Sequence, residues 1–254
     1  MIKASQVIQY LNILLLHDDD GGELSGLLEK DIMWNGIQVS PPENINKVFF
    51  AVSAGNVITK LARQNEAELI VTHHGLFWKG ADPRHRVVRE QVANLVEDNI
   101  GLYSCHLPLD KHPVVGNNAT IARMLEATIV EEFGQVGYIA ELKEALPERH
   151  LLERLGELFG QESWALPYCP KEKIHRLAIV SGAGGYPAFY EALDRNVDML
   201  ITGDTFECRQ TARDAGLSVA FCGHHSTEMY GIKTLKEYVE REFPTELEAK
   251  LTYF

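Results

Sequence analysis

The chain lacks several features, and each absence narrows its chemistry. No run of 18 or more apolar residues occurs, so no membrane span is expected. Positive charge is scarce: 24 Lys and Arg stand against 36 Asp and Glu, a formal net charge of −12. A surface that acidic repels phosphate backbones, which argues against a nucleic-acid partner. Cysteine is limited to Cys105, Cys169, Cys208 and Cys222, with no C-x-x-C pair. That spacing fits neither a zinc knuckle nor a small disulfide scaffold and points to buried thiols in a reducing compartment. Residues 1–6 run into an amphipathic stretch with no signal-peptide pattern, so a cytoplasmic protein is expected. The glycine-rich SGAGG at 181–185 has neither a full G-x-G-x-x-G nor a Walker lysine, so tight strand–helix packing explains it better than phosphate binding.

The composition that remains is ordinary for a globular chain: 254 residues, 45% hydrophobic and 24% charged, enough for one large domain or two lobes. Residues 4–16 have the spacing of an amphipathic helix, ended by the turn-forming HDDDGG at 17–22. From residue 47 strand and helix alternate. Strands are expected at 47–54, 68–74 and 100–106, with helices at 56–66, at 84–99 and from about residue 118. The rhythm returns after residue 173, with a strand running into a glycine-rich turn over 175–185, strands at 198–204 and 217–225, a helix over 227–242 and a last strand at 248–254. Such alternation predicts an α/β fold with parallel sheets covered by helices. AVSAGN (51–56) aligns with IVSGAGG (179–185), and ELIVTHHG (68–75) with DMLITGDT (198–205), which suggests an internal duplication. The expected organisation is a first lobe over 1–126, completed by 243–254, a connecting region over 127–172 and a second lobe over 173–242. The connecting region shows one clear helix, at 148–159.

What the chain has in surplus is histidine, ten in all. Six of them, His73, His74, His106, His112, His224 and His225, fall at or just past expected strand ends. Open parallel sheets bind ligands there. An isolated HH pair is most often one buried and one surface histidine. On a regular strand, His73 and His74 would also point to opposite faces and make poor partners for one ion. At a strand end turning at Gly75 they can serve two neighbouring ions instead. CHLPLD (105–110) adds His106 and Asp110, with Pro108 expected to keep the stretch extended or turned. GHHSTE (223–228) adds His224 and Glu228, with Ser226 or Thr227 as the cap of the following helix and Glu228 in its first turn. Imidazoles and carboxylates after three separate strands suit zinc, iron, manganese or nickel better than magnesium or calcium. They are too many for one tetrahedral ion. Two ions bridged by a carboxylate fit the count and would activate water near neutral pH.

NGIQV (35–39), VTHHGLFWKG (71–80), HLPLD (106–110), GNNATIARML (116–125), ITGD (201–204) and GHHSTEMYGI (223–232) resemble, in this order, the motifs of the Nif-three-like family, whose members carry the name GTP cyclohydrolase 1 type 2 homologue. The resemblance covers nearly the whole chain. It implies two interlinked α/β lobes of similar plan, with a dinuclear metal centre in the cleft between them, and subunits assembled as toroidal homohexamers. The family's metal ligands fall on His73, His74, Asp110, His224 and Glu228. His106 lies beside them as a further ligand or as a group that shuttles a proton. Residues 126–172 are too short for the extra domain that some relatives carry between the lobes. The implied activity is metal-dependent hydrolysis of a small nucleotide-like substrate, with attack on the imidazole ring of a guanine nucleotide at the carbon between its two nitrogens. Two alternatives stand beside it. One is a non-catalytic metal-binding scaffold or regulatory ring. The other is a (β/α)₈ metallohydrolase barrel, which the strand-poor first 46 residues and the missing early H-x-H oppose.

Overall fold

The structure, a computed structural model, describes residues 1–16, 23–160, 164–166 and 172–252. The HDDDGG turn, Cys169 and the last two residues of the expected final strand lie outside them. The described chain divides into two compact units, one of residues 1–109 and 232–254, the other of residues 110–231.

The first unit opens with β1 (Ile2–Lys3), α1 (Ala4–Leu16), α2 (Glu23–Lys30), β2 (Gly36–Val39), β3 (Asn44–Ile45) and β4 (Lys47–Ser53). Val7, Leu11 and Leu15 recur at helical spacing on α1 and are fully buried. Strand and helix then alternate as expected: α3 (Asn56–Gln64), β5 (Leu69–His74), α4 (Arg86–Glu97), β6 (Gly101–Ser104) and the short α5 (Leu107–Lys111). β4 to β6 read as continuous apolar runs because helices cover them. Phe49, Ala51, Ile70 and Leu102 meet Ile58, Ala62 and Leu95 from α3 and α4 in one core.

In the second unit α6 (Asn117–Met124) is followed by β7 (Ala127–Phe133), β8 (Gly137–Leu146), α7 (Glu148–Phe159), β9 (Trp164–Leu166) and β10 (Ile174–Val180). Then come α8 (Gly185–Asp194), β11 (Met199–Thr202), α9 (Arg209–Ala215), β12 (Ser218–Phe221) and α10 (His224–Glu242), along which the chain returns to the first unit and ends in β13 (Glu248–Leu251). The first unit's main sheet has the order β13-β4-β5-β6-β2, parallel except for β2. The second unit's sheet has the order β7-β8-β10-β11-β12-β9, with β10 to β12 parallel and the other three strands antiparallel. Both are open sheets and neither closes as a barrel.

Residues 127–172 are therefore not a connector. They supply β7, β8 and β9, half the strands of the second sheet. The β7–β8 hairpin turns at Gly134, which has a left-handed φ of 55°. Gly137 then lets β8 lie close to β10, since a Cβ there would sit 2.5 Å from the Ile179 carbonyl oxygen. β7 escapes a search for apolar runs because it is an edge strand. Its Glu131 pairs with Arg176 and Arg195 rather than with the core. Among the described residues no helix is long and apolar enough to cross a membrane.

Leu177 is fully buried in the core that packs α6 and α7 against the second sheet. Leu177→Ala is expected to cost about 2–5 kcal/mol in denaturant unfolding, by lost transfer energy and a residual cavity. Val130→Ala, on an edge-strand residue that is 43% exposed, should change stability by under about 0.5 kcal/mol.

Candidate metal-binding groups

In each unit the parallel strands end at a common level, and the polar residues expected from the sequence sit just past it. In the first unit, β4 ends at Ser53, β5 at His74 and β6 at Ser104. His73 is fully buried, and its Nδ1 lies 3.0 Å from the carbonyl oxygen of Cys105. A carbonyl only accepts, so Nδ1 carries the proton and Nε2 presents the lone pair. His74 Nδ1 is 3.0 Å from Ser53 Oγ, and His106 Nδ1 is 2.8 Å from Asp31 Oδ1. All three imidazoles are thus held through the same ring position. Their centroids are 4.5, 5.0 and 5.5 Å apart, and one ring nitrogen from each lies within 4.8 Å of the others. Trp78 packs beside them, its ring 5.2 Å from His106 and 5.9 Å from His74.

The strand ends at His74 and the chain turns at Gly75, as the sequence implied, and one other expectation is corrected. Gln38 Oε1 fixes that turn by accepting from the Leu76 and Phe77 amides at 2.7 and 3.2 Å. Pro108 does not keep its segment extended. It sits in the first turn of α5, where its missing N–H costs no helical bond.

In the second unit, Asp110 is 4% exposed, and its Oδ1 accepts from Asn117 Nδ2 and Ser181 Oγ, each at 2.8 Å. These two bonds fix the orientation of the carboxylate. α10 begins at His224, earlier than the expected Ser226 or Thr227 cap. Thr227 instead donates back to the Gly223 carbonyl and accepts from the Gly182 amide at 3.0 Å. The earlier start makes His224 and Glu228 an i,i+4 pair, with Nε2 to Oε1 at 3.1 Å. The other nitrogen of His224, Nδ1, is 2.9 Å from Asp204 Oδ2. Glu228 is 3% exposed, and one of its oxygens lies within 4.8 Å of one from Asp110. The hydrogen bond that His224 donates to Glu228 is the largest cause that pushes the His224 pKa up to about 9, against burial and with help from the Glu228 charge and Asp204.

Gly182, at φ +62°, faces this pair. A Cβ there would lie 2.4 Å from Glu228 Oε1 and 3.3 Å from His224 Nε2. SGAGG is therefore more than strand–helix packing: its serine orients Asp110 and its glycine leaves room for Glu228. Sequence reasoning passed over Asp31, Ser53, Asn117, Ser181 and Asp204. The signal was present in the duplication, since Ser53 ends β4, Ser181 directly follows β10, and each touches a donor residue of its own unit. Of the remaining histidines, His112 Nδ1 accepts from the Val114 and Val115 amides at 3.0 Å and closes a turn. His225 is half-buried and belongs to neither donor set.

Two open α/β sheets, each ending in clustered imidazole and carboxylate side chains, define an α/β protein with candidate metal-binding groups. The donor chemistry fits such ions: nitrogen and carboxylate oxygen together, with a glycine where any side chain would displace a carboxylate. The chain matches the family Duf34/NIF3 (NGG1p interacting factor 3) over residues 27–254 and belongs to it. The GTP cyclohydrolase 1 type 2 homolog of Archaeoglobus fulgidus is 36% identical over 223 residues, covering 85% of this chain and 88% of that protein. The protein of the same name from Haemophilus influenzae is 32% identical over 247 residues, covering 94% and 98%. Among solved structures, protein ybgI, described as of unknown function, superposes with a TM-score of 0.86 at 30% identity over 99% of this chain and 98% of that one.

The raised His224 pKa has a definite sign. Its pairing stabilises the fold fully below about 6.5, and that contribution is lost as pH rises through about 9. Gly182→Ala should push Glu228 away, so the titration midpoint of His224, followed by NMR, should fall from about 9 towards 6.5. An unmoved midpoint would show that the glycine does not set the position of Glu228.

Proposed function

We propose that the chain is a metal-dependent hydrolase of a small nucleotide-like substrate and holds two divalent ions through His73, His74, Asp110, His224 and Glu228. The observation that carries this is the common way the first unit's imidazoles are held. Nδ1 of His73, His74 and His106 each meets a protein partner, which leaves Nε2 as the nitrogen a metal would take. Ions of the zinc, iron, manganese or nickel type would supply Lewis acidity and a lowered pKa for an adjacent water.

The residues of the chain do the rest. Ser181 and Asn117 aim Asp110, Asp204 aims His224, and Gly182 leaves Glu228 its place. His106, held at Nδ1, can move a proton at Nε2 as attack proceeds. The substrate class rests on the name the relatives carry. It would be a guanine nucleotide opened at the ring carbon between its two nitrogens.

The same proposal includes assembly as a homohexameric ring in the cytoplasm. Ile32, Trp34 and Ile37 are 60%, 59% and 38% exposed beside edge strand β2, an apolar surface that a second copy would cover. The buried free thiols of Cys105, Cys208 and Cys222 suit a reducing compartment.

Elemental analysis of native protein should find about two transition-metal ions per chain. Alanine at Asp110 or Glu228 should lower metal content and abolish hydrolysis of guanine nucleotides together. Hydrolysis that survives loss of the metal would defeat the mechanism. A full metal complement with no turnover across a metabolite library would favour the scaffold instead. Light scattering should return the mass of a hexamer, and a monomer would defeat the ring.

A further inference from the structure

Asp31 has no solvent exposure and sits before β2, outside the strands that carry the histidines. A carboxylate removed from water persists only when hydrogen bonds replace the solvent. Asp31 has four. Oδ1 accepts from the Met33 amide at 2.9 Å and from His106 Nδ1 at 2.8 Å. Oδ2 accepts from Asn35 Nδ2 at 2.8 Å and from the Leu107 amide at 3.1 Å. Asn35 Oδ1 completes the clamp by accepting from the His106 amide at 2.7 Å. The His106 ring and the Leu107 amide are therefore referred to Asp31, and the His106 amide to Asn35, which Asp31 itself holds.

We propose that Asp31 is a positioning residue. By accepting the Nδ1 proton of His106 it fixes the ring orientation and the tautomer that leaves the Nε2 lone pair available beside His73 and His74. The role rests on the metal-binding reading of the site above, in that the value of a fixed Nε2 is the ion it faces or the proton it moves. Ser53 and the Cys105 carbonyl meet Nδ1 of His74 and His73, whereas a carboxylate meets Nδ1 of His106. An acceptor of full charge raises the electron density at the opposite nitrogen more than a neutral one does.

A purely structural clamp would give the same fold, so the test needs readouts that a clamp would not move. In metal-free wild-type protein, at a pH where the ring is neutral, long-range ¹H–¹⁵N NMR should find His106 protonated at Nδ1. Finding it protonated at Nε2 would overturn the proposal, whether or not any variant folds. Asp31→Asn keeps the side-chain shape but offers one acceptor where two are used. Folding would be checked by circular dichroism. Zinc affinity of Asp31→Asn, measured against a chromogenic chelator, should fall about 10–100-fold. The decisive comparison adds His106→Ala. If Asp31 acts through the ring, Asp31→Asn made in the His106→Ala background should have little further effect on zinc affinity. Equal losses in both backgrounds would assign Asp31 to the scaffold alone. If wild-type protein takes up no zinc, the metal reading falls while the tautomer measurement still decides this proposal.

Discussion

Backbone pairing stops within two residues on three neighbouring parallel strands in each sheet, and the polar groups at and just beyond that edge must satisfy one another. The last ladder bonds run from the Ala54 amide to His74 O and from the Cys105 amide to Thr72 O. At that edge stand the side chains of Ser53, His73 and His74, the last residues of β4 and β5, and just past it that of His106. An imidazole in that position needs an acceptor for one nitrogen, and each of the three finds it at Nδ1. The opposite nitrogen is then defined by default. The site's chemistry follows from that pairing rule more than from any single residue.

The second unit repeats the solution with different letters. Ser181 occupies the strand-end position of Ser53 but steadies a carboxylate instead of an imidazole. Asp204 stands behind His224 as Asp31 stands behind His106, at 2.9 and 2.8 Å. The environments differ. Asp31 is fully buried, and burial would raise its pKa, but hydrogen bonds from His106 and Asn35, the His106 charge and the Met33 amide outweigh burial and hold it below the usual carboxylate range. Asp204 is about half exposed, so solvent screens its hold on His224.

The acidity of the chain acquires a use in this setting. A net charge of −12 attracts divalent cations and repels anionic metabolites. Two bound dications would reverse that field locally, so the proposed ions and the proposed nucleotide are linked electrostatically: without the first, the second is repelled.

The sequence by itself determined the alternating elements and the family. β4, β5, β10 and β11 announce themselves as apolar runs because helices cover both faces of these parallel strands. The motif residues His73, His74, Asp110, His224 and Glu228 are visible because imidazoles and carboxylates recur together after three separate strands. Tertiary structure alone decided three things. It placed 127–172 in the second sheet, since an edge strand with one buried face carries no apolar run. It showed what holds the turn at Gly75 beside His73 and His74, since Gln38 fixes it from far away in the chain. It also found the partners Asp31, Asn117, Ser181 and Asp204. A hydrogen bond between residues 75 positions apart, as between Asp31 and His106, leaves no local pattern to read.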